Sequence, residues 1–464
     1  MEIEGWTQTL GAGPLLGIAA GAIALILVLV IGLRLHAFLT LILVSLVTAF
    51  ATGIPMNKIV DVLVSAFGST LGSVALLVGL GAMLGKLIEH SGGATVLAER
   101  LISAFGEKRA PLALGVASLL MGFPMFFDAG LVVMLPITFA VAARLGGPVL
   151  RYAIPTAVAF SVMHVFVPPH PGPVTASEAY GSNLGLVLAL GLVIAVPTFY
   201  VTGVLFGRYC AKKFGFTIDE DSIFGADADE EATITNPPRV GTVIAVLLLP
   251  MLLIFLNTGL DFARAAGLVS KDALWYQFFR TVGSSPVALL ISVLVALVVL
   301  GFRRGENGTA LEKIVDSALG PICSVVLITG AGGMFGGVLR ASGIGDALSN
   351  SLNNLGLPVI LAAYVIAVVL RVAQGSATVA LVTAAGLMAP AVAAGGYSPG
   401  QIAAITAATA AGSVFASHVN DSGFWLVGRL FDMDVATTLR TWTIQQTLES
   451  LMGFGLAWVA FLIL

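Results

Sequence analysis

Charge is what this chain has least of. Only 10% of its 464 residues are Asp, Glu, Lys or Arg, where a soluble domain carries about 25%. So little charge cannot cover a water-facing surface of this size, which excludes a soluble globular protein. Cysteine is nearly absent too. Cys210 and Cys323 both lie in or beside apolar segments, which excludes a disulfide framework and a zinc site. No basic run is long enough to hold nucleic acid, and the net charge of −3 offers no such partner. The N-terminus, Met1-Glu-Ile-Glu-Gly-Trp6, lacks the basic region of a cleaved signal peptide, so the first apolar segment is expected to be a retained span.

What the chain has in quantity is apolar. It is 58% hydrophobic with a mean hydropathy of +1.02, and its apolar runs approach the roughly 20 residues of a membrane-crossing helix. The expected class is an all-α polytopic membrane protein. Spans are expected over Pro14–Leu33, Ala37–Gly53, Leu71–Leu87, Ala153–Val167, Leu184–Phe206, Val240–Leu256, Val287–Phe302, Leu319–Leu339, Gln401–Ala416 and Ile444–Leu464. Ala110–Ala143 reads differently. A helix of 34 residues would measure about 51 Å against a core of about 30 Å. Gly122-Phe-Pro124 and Asp128 interrupt it, so a broken helix or re-entrant hairpin is expected. Leu357–Ala394 is interrupted likewise by Arg371-Val-Ala-Gln-Gly-Ser-Ala-Thr378. The count is about ten full spans plus two hairpins.

Between them, Gly207–Arg239 changes character: Arg208, Lys212 and Lys213 lead into Asp219-Glu-Asp221 and Asp227-Ala-Asp-Glu-Glu231. A block of like charge reads as a solvated spacer. It divides the chain into residues 1–206, with a hairpin at about 110–143, and residues 240–464, with a hairpin at about 357–395.

The two halves echo each other. Gly81-Ala-Met-Leu-Gly-Lys-Leu-Ile-Glu-His-Ser-Gly92 aligns without gaps on Gly332-Gly-Met-Phe-Gly-Gly-Val-Leu-Arg-Ala-Ser-Gly343 at an offset of 251 residues. After it, each half has an interrupted apolar segment ending in Pro136 or Pro390, then an apolar run closed by a polar break with His170 or His418. Lys86, Arg100, Lys108, Arg109, Arg144 and Arg151 flank the first hairpin, whereas little beyond Arg340 flanks the second. By the positive-inside rule the first hairpin opens to the cytoplasm, the second to the other side, and the linker is cytoplasmic. Inverted-topology repeats of this kind are typical of secondary transporters.

Inversion brings four polar breaks toward one depth: Gly122–Asp128, Pro168–Pro173, Arg371–Thr378 and Ser417–Asp421. Broken helices free backbone N–H groups whose positive ends suit a carboxylate. Arg371 offers an always-charged fork, and an intramembrane charge is costly unless it faces protein or water. Gln374, Gly375, Ser376, Thr378, Asn420, His170 and His418 complete the candidate substrate site. Asp128 and Asp421 are the candidate proton or cation carriers. Other readings stay open: Arg371 as a packing residue, Asp128 as its neutralising partner, His170 as a turn residue, and His418 as an orienter of Asp421. His164 reads as a satisfied helix residue. Ser417, His418 and Asp421 are crowded within five residues with no Gly-x-Ser-x-Gly elbow, which argues against a hydrolase triad.

At these breaks the chain resembles the gluconate permease family, the gluconate–proton symporters of bacterial inner membranes. The resemblance rests on Gly122-Phe-Pro-Met-Phe-Phe-Asp-Ala-Gly130, Pro168-Pro-His-Pro-Gly-Pro173, Arg371-Val-Ala-Gln-Gly-Ser-Ala-Thr-Val-Ala380 and Ser417-His-Val-Asn-Asp-Ser-Gly-Phe-Trp425, with Gly330-Ala-Gly-Gly333 and Thr441-Trp442 beside them. It implies proton-coupled uptake of a sugar acid such as gluconate, and an elevator motion shared with a wider transporter superfamily. The family also holds permeases for related aldonates and D-serine, so a D-serine or other small-carboxylate permease, with sodium as coupling ion, is the alternative. A membrane-embedded hydrolase is the distant one. No catalytic, metal or cofactor site is expected. The partners implied are the carboxylate and the lipid bilayer, with a homodimer as one open assembly.

Overall fold

The computed structural model describes residues 6–214, 236–265, 268–347, 351, 357–418 and 421–464, and its elements are helical throughout. The acidic part of the linker lies outside the described residues. The first half contains α1 (Ala12–Leu27), α2 (Ala37–Ala51), α3 (Met56–His90), α4 (Gly93–Phe105), α5 (Ala110–Met121), α6 (Phe127–Leu145), α7 (Leu150–Phe166), α8 (Pro171–Tyr180), α9 (Leu184–Thr198) and α10 (Phe206–Phe214). The second contains α11 (Val240–Ala265), α12 (Leu274–Val282), α13 (Ser285–Ala296), α14 (Gly308–Ser317), α15 (Leu319–Ala341), α16 (Val359–Gln374), α17 (Ala377–Ala394), α18 (Pro399–Gly412), α19 (Ser422–Leu430), α20 (Val435–Thr438) and α21 (Ile444–Ile463). π-helical stretches, Phe199–Leu205 and Leu439–Thr443, join α9 to α10 and α20 to α21.

Among the described residues, nine helical stretches are long and apolar enough to cross a membrane, against about ten full spans expected. Three expected spans, α1, α2 and α18, have only 16, 15 and 14 residues, while two of the nine, Phe127–Leu145 and Ala377–Ala394, are arms of the expected hairpins. The expected span Leu71–Leu87 is part of the 35-residue α3, which is about 52 Å long. Length alone therefore does not break a helix here. Residues 56–90 contain no proline, whereas Pro124 removes a backbone donor between α5 and α6 and the chain turns there. Pro136 and Pro390, expected as segment ends, instead lie inside α6 and α17, as membrane helices tolerate.

The order of helices recurs along the chain. α6 and α17 begin 250 residues apart at Phe127 and Ala377, and α8 and α19 begin 251 apart at Pro171 and Ser422. The continuous stretches Leu184–Phe214 and Val435–Ile463 also begin 251 apart. The long helices of the two halves, α3 and α15, pack against each other. Their contact depends on small residues. A Cβ on Gly333 would sit 2.0 Å from Thr70 Oγ1, and one on Gly337 would sit 2.3 Å from the Cβ of Ala66. This is the close backbone approach that small residues permit between membrane helices.

At the centre, α7 is buried along almost its whole length. It packs against α5, α6, α9 and the π-helical stretch that follows α9. α21 packs on α18 and α9. The outward faces carry exposed Val60, Val64, Val193, Leu252 and Leu294, which suits contact with lipid.

Candidate functional site

The four expected breaks are all interruptions between helices, and each ends at a new helix N-terminus. Phe126 precedes α6, placing Asp128 in its first turn. His170 precedes α8, whose first residue is Pro171, the position where a missing N–H costs nothing. At the third break Gly375 takes φ = 80°, a left-handed conformation that only glycine adopts freely. Ser376 then caps α17, its hydroxyl accepting from the Val379 amide at 3.4 Å. At the fourth, Ala416 is left-handed at φ = 49°, and Asp421 caps α19, accepting from the Gly423 amide at 3.0 Å.

Three of these N-termini meet at one cavity of about 200 Å³. Phe126 and Asp128 reach it from α6, Ser376 and Thr378 from α17, and Asp421 and Gly423 from α19. Arg371, Ser161, His164, Trp442 and Gln446 complete the parts of the wall that carry chemistry. Each helix N-terminus presents a partial positive charge of about half an elementary charge, so three aimed at one space favour an anion.

Arg371 is 2% exposed. Its guanidinium donates to the Gly375 carbonyl and to Oδ2 of Asp421. Asp421 Oδ2 also accepts from the Ser417 hydroxyl. That hydroxyl in turn accepts from Trp442 Nε1 at 3.1 Å. Arg371 Nε has no hydrogen-bond partner among the described residues. The neutralising partner of Arg371 is therefore Asp421, fifty residues along the chain, and not Asp128. The Asp128 side chain faces the cavity and makes no hydrogen bond among the described residues. With the Arg371–Asp421 pair self-cancelling, Asp128 leaves the cavity one formal negative charge.

Of the residues expected from sequence, the cavity gathers Arg371, Ser376, Thr378, Asp128 and Asp421. Gly375 stands behind the wall as an acceptor for Arg371. His170 is buried outside the cavity lining, with Nε2 donating to the Gly122 carbonyl at 2.7 Å. It ties the second break to the first. His418 is half-buried and also outside the lining. Asn420 and the side chain of Gln374 lie outside the described residues. The Ser417 hydroxyl contacts Asp421 and Trp442, with no histidine among its described partners, so no hydrolase triad is assembled.

Two contributions were missed. His164, expected only to fill a helix, lines the cavity with Nε2 3.5 Å from Thr378 Oγ1, and its ring centroid is 4.8 Å from that of His170. The second is a buried polar cluster on α21: Gln445, Gln446 and Glu449, joined by Ser161 of α7. Its signal was available, since Gln445-Gln446-Thr-Leu-Glu449-Ser450 puts amides and a carboxylate one turn apart in an otherwise apolar span.

Comparison with known proteins identifies the family. Residues 13–463 match the model of the GntP family permeases. The chain is 37% identical over 444 residues to the Gluconate permease of Bacillus subtilis (strain 168), covering 95% of this chain and 98% of that one. It is 38% identical over 455 residues to the Inner membrane permease YgbN of Escherichia coli (strain K12), covering 96% and 98%. In fold it is similar to the crystal structure of the Alcanivorax borkumensis YdaH transporter, with a TM-score of 0.63 at 16% identity over 92% of this chain and 98% of that one. The chain therefore belongs to the GntP permease family, as a multi-pass membrane transporter and not an enzyme.

Proposed function

We propose that the protein imports a sugar acid, gluconate or a related aldonate, together with a proton across the bacterial inner membrane. The observation that carries this reading is the convergence of three helix N-termini and Arg371 on one small cavity. Its volume, about 200 Å³, lies below the roughly 300–1,000 Å³ of sites for drug-sized ligands. A small monocarboxylate suits that space, with its carboxylate at the N-termini of α17 and α19 beside Arg371. Its hydroxyls would meet Ser376, Thr378, His164 and Gln446. The similar protein of Bacillus subtilis named Gluconate permease supports the substrate class.

Proton coupling follows from charge. An anion entering the cavity meets one uncancelled carboxylate, Asp128, and binding is favoured once that carboxylate is neutral. Asp421, the other expected carrier, is committed to Arg371, Ser417 and the Gly423 amide. The recurring helix order, with the asymmetry of basic residues between the two hairpin flanks, supports inverted repeats. Such repeats suit an elevator motion of the hairpin-bearing part.

Uptake of radiolabelled gluconate into proteoliposomes under an imposed pH gradient tests the reading. Wild-type protein should accumulate gluconate when the outside is acidic, while Arg371→Ala and Asp128→Asn should lose gradient-driven accumulation. Accumulation that follows sodium and ignores pH would overturn the coupling. Competition by D-serine with no competition by aldonates would overturn the substrate class.

A further inference from the structure

The best-built polar feature outside the cavity surrounds Glu449. This residue is fully buried in the second turn of α21, and its carboxylate has no cation in contact among the described residues. Three neutral donors hold it. The Ser161 hydroxyl donates to Oε1 at 2.9 Å, and the side-chain amides of Gln445 and Gln446 donate to Oε2 at 2.8 and 3.0 Å. Gln445 Nε2 also lies 3.4 Å from Thr202 Oγ1. A buried carboxylate without a cation is costly, and in membrane segments such groups mark ion or proton routes.

The other groups facing it are few. The cavity wall that Ser161 and Gln446 share also carries Arg371, Asp128, Asp421 and His164. One residue along α21, the Ser450 hydroxyl is bound to the Tyr364 hydroxyl at 3.1 Å.

We propose that Glu449 is a proton site of the transport cycle, screened from the cavity and linked to it by the hydroxyl of Ser161. The link follows from donor counting. Gln446 Nε2 carries two protons and faces three acceptors: Ser161 Oγ and Gln445 Oε1, each at 2.9 Å, and Glu449 Oε2 at 3.0 Å. It can release Glu449 and still have both protons bonded. Ser161 lines the cavity and has one proton to give and two lone pairs to fill. With Glu449 ionised, that proton is spent on Oε1. With a proton on Oε1, the bond reverses: Glu449 donates to Ser161 Oγ, which still accepts from Gln446. The serine proton is then free to point into the cavity, toward an oxygen of the substrate. A proton carried into the cavity as hydronium, added to Ser161 Oγ as that oxygen passes its own proton to Glu449, thus creates a hydrogen-bond donor in the binding site, and its loss withdraws that donor. The inference rests on the sugar-acid reading, because an acceptor-rich substrate is what benefits from the freed hydroxyl.

The test measures protons taken up by purified, detergent-solubilised protein when D-gluconate is added, with a pH dye as reporter and gluconate binding followed in parallel. Wild-type protein should take up protons on binding. Glu449→Gln, which presents a permanent N–H toward Ser161, should take up one proton fewer per bound gluconate. It should also bind gluconate more tightly than wild type at alkaline pH. Ser161→Ala should also lose one proton per gluconate, because Glu449 no longer senses the cavity, and its affinity should fall about tenfold with the lost hydroxyl. If Glu449→Gln does not fold, the proton count of Ser161→Ala decides. Either variant taking up as many protons as wild type would overturn the inference and leave the sugar-acid reading standing. Wild-type protein that binds gluconate with no proton uptake would overturn both the coupling and this inference. Wild-type protein that binds no gluconate would overturn the reading on which they rest.

Discussion

Arg371 and Asp421 form a buried ion pair across fifty residues of sequence, joining the third helix break to the fourth beside the cavity. Asp421 is simultaneously the N-cap of α19, and Arg371 simultaneously holds the carbonyl of Gly375 that precedes α17. The pair therefore sets the positions of two of the three helix N-termini that face the cavity. Removing one partner leaves the other buried without compensation, a loss of about 3–5 kcal/mol. Arg371→Ala and Asp421→Ala are each expected to lower thermal stability by that order. The double variant should be more stable than the sum of the two losses implies, and yet transport nothing. Thermal unfolding with uptake measured on the same preparations checks this. Additive losses would contradict the pairing.

Lysine at position 371 tests the fork itself. Arg371 serves a carbonyl and a carboxylate at once through separate nitrogens, whereas a lysine ammonium is a point charge on a flexible stem. Arg371→Lys should keep most of the stability that Arg371→Ala loses. Its gluconate affinity should still fall by about tenfold, because one ammonium cannot hold the Gly375 carbonyl and Asp421 in the fork's geometry and the N-termini of α17 and α19 lose their common anchor beside the cavity. Isothermal binding measurements on the folded variant would show it.

Much of this site was legible in the chain before any coordinates, for a definite physical reason. A glycine, proline or charge inside an apolar run is expensive in a bilayer, so Gly122-Phe-Pro124, Pro168–Pro173, Arg371–Thr378 and Ser417–Asp421 announced themselves as breaks. What a run of sequence does not carry is which break meets which. Asp128 is the partner that the order of segments suggests for Arg371, and only the packing of α16 and α19 puts Asp421 in that place instead. His170 looked like a ligand because histidine in a polar break suggests one, but its ring is used on the Gly122 carbonyl. Glu449 was passed over because α21 is apolar on average, and an average hides one buried face. α3 runs further than the expected span because Gly68-Ser69-Thr70, which bounds the apolar core Leu71–Leu87, stays helical, with Lys58 and Asp61 exposed on the same helix.

The contact between α3 and α15 gives an expectation independent of transport. A methyl group on Gly333 has no room against Thr70, whereas one on Gly68 of α3 meets nothing within 4 Å. Gly333→Ala should destabilise the protein by about 1–3 kcal/mol through overpacking. Gly68→Ala should be neutral or slightly stabilising, since alanine suits a helix better than glycine. Paired melting curves in one detergent separate the two.

Ala416 offers a local test of the fourth break. Its left-handed backbone, φ = 49°, turns the chain from α18 toward Ser417, and a side chain there costs about 1–2 kcal/mol. Ala416→Gly relieves that cost while loosening the unfolded chain by a comparable amount, so its melting temperature should stay close to wild type. Ala416→Val, branched at Cβ, should lower it and displace Ser417 from Asp421. Equal stability for the valine variant would show that the break tolerates another backbone.

Phe126 and Asp128 line not only the central cavity but also a second one of about 190 Å³, whose wall includes Lys86 and Glu89 near the end of α3. These two side chains are the wall residues common to both cavities. Phe126 is held there by aromatic neighbours, its ring 5.9 Å from His164 and 5.7 Å from His170. A bulky ring in the wall of both cavities, with Asp128 beside it, is placed to act as a barrier between them. In a coupled transporter a continuous water path between such spaces lets protons cross without substrate. Phe126→Ala should open one. Proteoliposomes carrying this variant should dissipate an imposed pH gradient faster than wild type in the absence of gluconate, and reach a lower gluconate accumulation at the same initial gradient. Binding should weaken little, because Arg371 and the α17 and α19 N-termini are untouched. Phe126→Leu, which restores most of the apolar volume, should recover the barrier. A variant with unchanged gradient decay would show that the two cavities are sealed from each other by something other than this ring.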